Sequence, residues 1–151
     1  MNADSLVYQA KSFYNAYIAL DQLSRDDSDA LLLLFAPLIV NGAFSTELTL
    51  KAILAKNKIE YGKEHNLLIL FQMLPKSFQQ ELWTFLTEKA PEYVNFERGL
   101  NELILLSNAF VDWRYAFEGN PVPAIESRFL AAFANAAIRT MFSHYNTDLR
   151  P

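Results

Sequence analysis

The chain has 151 residues, 52% of them hydrophobic and 14% aromatic, and a formal net charge of −4. This size predicts one domain over residues 1–151 with a single core, and the acidic balance argues against a broad nucleic-acid surface, which needs clustered Lys and Arg. Because the chain has no cysteine, disulfides, thiol catalysis and thiolate metal sites are excluded. No secretory signal is evident at the N-terminus, so we expect a cytoplasmic protein.

The first part of the chain is predicted to form two helices. The first runs from Asp4, its N-cap, to about Gln22. A polar connector separates it from a long second helix over residues 30–56, which Pro37 can kink. The apolar start of this second helix is shorter than the roughly 20 residues of a membrane span. We therefore expect a buried helix and no membrane partner.

Four further helices are predicted in the remainder of the chain. They span residues 67–74 with Asn66 as N-cap, 77–89, 95–117 and 123–145. No alternating strand pattern, internal repeat or interdomain linker interrupts them. The sequence thus predicts an all-α fold, an antiparallel helical bundle of about five or six helices.

Two of these helices carry opposite charges on apolar stripes. At 100° per residue, Glu47 and Lys51 project among the apolar residues of the second helix, and Arg114 and Glu118 lie on or beside the apolar face of the fifth. Buried charges are costly unless they are paired. We therefore expect a cross-helix cluster that pairs Glu47 with Arg114 and Lys51 with Glu118, or the exchanged pairing. Such a cluster is either a binding site or a device that fixes helix register.

Three segments of the chain resemble HEPN-type domains, the group named for higher eukaryotes and prokaryotes nucleotide binding. Residues 37–54, PLIVNGAFSTELTLKAIL, are similar to the second helix of that group, with its Asn, small-residue turn and Glu-Leu-X-Leu-Lys element. Residues 64–71, EHNLLILF, resemble its Gly-His-Asp-Leu segment, and residues 110–118, FVDWRYAFE, its Arg-Tyr-X-X-Glu segment. Glu64 replaces the usual Gly, and Asn66 replaces the more common Asp.

The resemblance implies a helical bundle, often a homodimer, from bacterial defence, toxin–antitoxin and nucleotide- or RNA-related settings. We interpret the chain as a non-catalytic HEPN-like binding or interaction module without a cofactor. Its candidate polar-site residues are Glu47, Lys51, His65, Arg114, Tyr115 and Glu118. His65 either joins the charged cluster, touches a ligand or is a structural residue at a helix end. Tyr115, turned away from Arg114, is a packed ring or a residue of a pocket rim.

A metal-independent ribonuclease or toxin is the first alternative. Many catalytic members of the group carry an Arg with a His four to six residues later, a separation that Arg114 lacks and that Arg139 and His144 have. His144 would exchange a proton with an RNA 2′-hydroxyl, and Arg139 would stabilise charge on the phosphate. On an uninterrupted helix, however, the two side chains point about 140° apart. They are otherwise solvated cations near a helix C-terminus.

A purely structural dimerisation domain is the second alternative. Small residues in the last helix permit close helix approach, either within the bundle or across the two-fold axis of a homodimer. They are Ala131, Ala132, Ala134, Ala136 and Ala137. With only two histidines and no recognisable ligand spacing, no metal site is expected.

Overall fold

A computed structural model describes residues 2–26, 28–119 and 124–145 and confirms the all-α helical bundle. Within these ranges no strand occurs. The α-helices are α1 Ala3–Asp26, α2 Ser28–Lys56, α3 Leu67–Met73, α4 Lys76–Lys89, α5 Phe96–Leu106, α6 Ala109–Arg114 and α7 Ser127–His144. Short 3₁₀ helices cover Pro91–Val94 and Ala116–Glu118. The buried hydrophobic residues form one cluster.

Helix α2 is the central element of the bundle, packed by α1, α6 and α7. Gly42, Ser45 and Thr49 lie opposite the apolar stripe of α2 at 100° per residue, yet all three residues are buried. The hydroxyl of Ser45 donates to the Gly42 carbonyl, and that of Thr49 donates to the Ser45 carbonyl, at 3.0 and 2.7 Å. Because these hydroxyls find acceptors within their own helix, their burial needs no polar partner from another element.

One described segment, Leu33–Lys56 of α2, is long and apolar enough to cross a membrane by length and composition. More than half of its most apolar stretch is buried inside the bundle. The core helix of a globular protein passes the same test of length and composition. The sequence of this segment predicts such a buried helix.

Helix α7 buries most of its alanine residues inside the protomer. Ala132, Ala134, Ala136 and Ala137 are buried, and α7 packs on α2 and α4. The sequence leaves open whether these alanines pack within the bundle or across the two-fold axis of a dimer. In the structure they pack within the bundle. The predicted start of this helix was too early, because α7 begins at Ser127. The predicted first residue, Pro123, lies outside the described residues.

The predicted single helix over residues 95–117 is wrong, because the chain breaks between α5 and α6. At Ser107 the hydroxyl donates to the Leu103 carbonyl at 2.7 Å, while the Ser107 carbonyl accepts the backbone N–H of Leu67 at 2.9 Å. That N–H belongs to the first residue of α3 and has no partner within its own helix. The Ser107 carbonyl, which would accept a hydrogen bond within a longer α5, therefore caps α3 instead. A new helix, α6, begins at Ala109.

Candidate functional site

The centre of the candidate site is a buried ion pair within α2. Glu47 is 2% exposed and Lys51 is 7% exposed. The ammonium Nζ of Lys51 donates to Oε1 of Glu47 at 2.7 Å, one helical turn away. A Glu placed four residues before a Lys has the favourable orientation for such a pair. The second carboxylate oxygen, Oε2, is buried and accepts no hydrogen bond from any described residue.

His65 connects this buried pair to the solvent. Its Nδ1 lies 2.8 Å from the same Oε1 atom of Glu47, whereas 55% of its side chain is exposed. Since the carboxylate oxygen accepts, we assign the proton to Nδ1, which leaves Nε2 of the ring for another partner. Of the roles that the sequence left open for His65, the structure has the contact with Glu47, although without Arg114. Glu47, Lys51 and His65 are called the polar cluster below.

The turn that positions His65 is fixed by its neighbour Glu64. The carboxylate of Glu64 accepts two backbone N–H groups, those of His65 at 2.9 Å and Asn66 at 2.7 Å. Asn66 in turn caps α3, as predicted, by accepting the N–H of Ile69 at 3.1 Å. Glu64 therefore holds the chain on which the imidazole sits, a role that the sequence did not reveal.

A cleft of about 550 Å³ lies beside the polar cluster. It is formed by Ala55 at the end of α2 and by the following turn, residues 58–62. Tyr61 lines this cleft, and Nζ of Lys51 lies over its ring, 5.5 Å from the centroid. A cation and an aromatic face at this distance attract each other. Tyr61 thus connects the cleft with the buried ion pair, and sequence reasoning missed it because loop position alone gave no signal.

The predicted pairing of the buried charges with Arg114 and Glu118 is wrong. Both residues are exposed, and the described partners of Glu47 are Lys51 and His65. The guanidinium of Arg114 lies over the rings of Phe110 and Tyr115, 4.8 and 4.6 Å from their centroids. Its Nη2 donates to the Tyr115 hydroxyl at 3.0 Å. Tyr115 is therefore turned towards Arg114, not away from it.

The antiparallel crossing of α2 and α6 explains this separation. Phe110 stacks on Phe44 at 4.3 Å, and Trp113 packs on Phe35 at 5.2 Å. As the chain advances along α6, it therefore moves back along α2. Trp113 therefore lies at the level of Phe35, twelve residues or about 18 Å of helical rise before Glu47, whereas Phe110, over which the Arg114 guanidinium lies, is at the level of Phe44. The structure thus brings together Glu47, Lys51 and His65. Arg114 contacts Tyr115 instead, and no described ion pair joins Arg114 or Glu118 to those three residues.

The two residues of the ribonuclease alternative each pair with a glutamate of α4. Arg139 Nη1 lies 2.9 Å from Oε2 of Glu88, and its guanidinium is 4.0 Å from the Phe85 ring centroid. His144 Nε2 lies 2.6 Å from Oε2 of Glu81. Both side chains are partly exposed. These contacts provide each residue with a structural role in joining α7 to α4.

The comparisons with known proteins add no relative. No family model, no curated protein and no solved structure matches this chain. Within residues 2–26, 28–119 and 124–145, no group of three or more acidic or histidine side chains is arranged to hold a metal ion. The site is therefore defined by its own geometry: a buried Glu–Lys pair, a half-exposed imidazole and an adjacent cleft.

Proposed function

We propose that this protein is a HEPN-like binding module without a reaction of its own, and that its ligand binds at the polar cluster and the neighbouring cleft. The observation that carries the proposal is the contact between the buried Glu47 carboxylate and the exposed imidazole of His65. An orienting carboxylate fixes both the tautomer and the direction of a histidine ring. The ligand then meets a preorganised Nε2 atom at the protein surface.

The electrostatics of the polar cluster favour a ligand that carries both hydroxyl and anionic groups. Lys51 neutralises the carboxylate of Glu47, so an incoming anion does not meet an uncompensated negative charge. Nε2 accepts a hydrogen bond from a hydroxyl when the ring is neutral and donates one to an anion when the ring is protonated. A nucleotide offers both groups, a ribose hydroxyl and a phosphate.

A small nucleotide fits the charge of the chain better than a long RNA does. The net charge is −4, and phosphate backbones bind chiefly to clustered Lys and Arg. The cleft of about 550 Å³ lies within the usual volume range of small-molecule sites. The nucleotide class itself rests on the resemblance of residues 37–54 and 64–71 to HEPN-type domains.

Calorimetric titration with the mono-, di- and triphosphates of adenosine, guanosine, cytidine and uridine tests the proposal. At least one of these nucleotides should bind the wild-type protein. The variant His65→Ala should weaken that binding by about tenfold or more, the amount expected for the loss of one hydrogen bond to a charged group. Failure of all twelve nucleotides to bind would contradict the proposal.

The chain offers a matched control in its second histidine. His144 is also partly exposed and also contacts a glutamate, so His144→Ala removes the same type of side chain far along the sequence. It should retain nucleotide affinity while the circular dichroism of both variants stays that of the wild type. Equal losses in the two variants would remove His65 from the site. RNA cleavage that is abolished by His144→Ala would instead support the ribonuclease alternative.

A further inference from the structure

A second concave site shares no lining residue with the polar cluster or with the cleft beside it. This aromatic groove, of about 520 Å³, runs between α4 and the start of α5. The buried ring of Phe71 lines it together with Trp83, Val94 and Phe96. Val94 is 72% exposed and Phe96 is 49% exposed. Concave sites with aromatic walls and a few polar groups are the usual form of small-molecule sites.

The indole of Trp83 is held rigidly in the wall of this groove. Its Nε1 donates to the Tyr93 carbonyl at 3.2 Å, and its ring lies 4.6 Å from that of Phe96. Behind it, a Cβ atom added at Gly99 would come within 2.5 Å of the indole. The flat face therefore keeps its orientation without a ligand, so that a ring stacked on it loses little side-chain entropy.

The polar part of the groove comes from α4 and contains one charge. Lys76 is the one charged residue among the described residues that line the groove. It is exposed, and its Nζ makes a long contact of 3.4 Å to Oε1 of Gln79. The hydroxyls of Thr84 and Thr87 donate to helix carbonyls and keep acceptor capacity for a ligand. The groove thus combines aromatic faces with a single cation.

From this combination we propose that the aromatic groove binds a small planar aromatic anion. The ring system stacks against Trp83 and Phe96, and the anionic substituent lies towards Lys76. The absence of a carboxylate among the described lining residues makes the groove complementary to a negative ligand. The proposal is independent of nucleotide binding at the polar cluster, which lies on different elements.

The probe for this test is 8-anilinonaphthalene-1-sulfonate, an aromatic sulfonate with a planar naphthalene ring system, whose emission rises in apolar sites. The chain has two tryptophans, so the variant Trp113→Phe leaves Trp83 as the sole indole. Trp113 Nε1 bonds to none of the described residues, and this substitution therefore removes no described hydrogen bond. In this background, we expect the probe to bind and to quench the Trp83 emission.

Two groove variants and two controls then locate the probe. Phe96→Ala should raise the dissociation constant about tenfold through loss of the stacked ring, and Lys76→Gln should raise it about threefold and reduce its salt dependence. The controls Leu33→Ala, an exposed apolar residue of α2, and Lys89→Gln, at the far end of α4, should leave it unchanged. Unquenched Trp83 emission, or equal affinity in Phe96→Ala and Leu33→Ala, overturns the proposal. Equal affinity in Lys76→Gln and Lys89→Gln overturns the anionic character of the ligand.

Discussion

Nδ1 of His65 lies 2.8 Å from Oε1 of Glu47, although one side chain is more than half exposed and the other is 2% exposed. The contact therefore joins the solvent to the interior of the bundle through one carboxylate. Lys51 binds the same oxygen from within α2. An ion pair buried in this way is costly to desolvate, and its retention is explained by a role in binding or in fixing helix register. Substitutions at these positions separate the two roles.

Replacement of Lys51 alone should destabilise the fold strongly. Lys51→Met leaves the carboxylate of Glu47 buried with only the exposed His65 beside it, and uncompensated buried charges cost about 3 to 5 kcal/mol. Urea unfolding followed by circular dichroism measures the loss. The double variant Glu47→Gln/Lys51→Met is the control. Because it removes both charges, it should recover most of the stability of the wild type.

The double variant also distinguishes a binding site from a register device. If the pair only fixes register, the double variant should lose cooperative unfolding. If the polar cluster is a binding site, the double variant should unfold cooperatively and lose nucleotide affinity, since the orientation of His65 depends on a charged acceptor. A single variant Lys51→Met as stable as the wild type would show that Glu47 is not an uncompensated buried charge in that protein.

The placement of the helices was largely predictable, because apolar periodicity and caps are local features. Asn66 and the ends at Lys56 and Lys89 lie where the sequence places them. The break at Ser107 was not predictable, since it depends on a carbonyl that caps α3, an element some forty residues earlier in the chain. Competition between a helix and a distant cap leaves no periodic signal in the sequence.

The candidate site was predicted in part for a similar reason. The four-residue spacing places Glu47 and Lys51 on one side of α2, but the pairing predicted for them was with Arg114 and Glu118 and not with each other. The contact between His65 and Glu47 was one of the alternatives that the sequence left open. Arg114 was assigned wrongly because an apolar stripe fixes which side of a helix faces inward, but not where along its axis it meets a neighbour. The aromatic contacts of Phe35 and Phe44 determine that position.

The separation of Arg114 from the polar cluster leads to a second prediction. Arg114→Met should change the free energy of unfolding by no more than about 0.5 kcal/mol, as is usual for surface substitutions, because Arg114 is exposed and forms no described ion pair. Nucleotide affinity, measured by the calorimetric titration above, should stay within about twofold of the wild type. A loss as large as that of His65→Ala would place Arg114 at the ligand.

Gly99 is expected to tolerate no side chain. In Gly99→Ala the new methyl group would lie 2.5 Å from the Trp83 ring, and such overpacking typically costs about 1 to 3 kcal/mol. The Trp83 emission in a Trp113→Phe background should shift together with the stability. Gly62→Ala is the contrasting control: its Cβ meets open space, but its φ of +56° strains an alanine. That variant should lose stability without any change in tryptophan emission.

The ion pair between Glu92 and Arg128 should make the stability depend on acid pH. Arg128 donates to both carboxylate oxygens of Glu92, with Nη2 at 3.2 Å from Oε2, and this hydrogen bonding holds the pKa of Glu92 below its ordinary value. A carboxyl group with a lowered pKa in the folded state contributes stability above its unfolded pKa and loses that contribution as the pH falls through its folded pKa. The destabilisation caused by Arg128→Met should therefore be largest near neutral pH and vanish once Glu92 is protonated. Urea unfolding of wild type and variant at several pH values measures this difference.

A Glu92→Gln background is the control, because no carboxyl group titrates at this position there. In this background, Arg128→Met should have an effect on stability that does not change with pH. An acid-dependent effect would assign the linkage to another group.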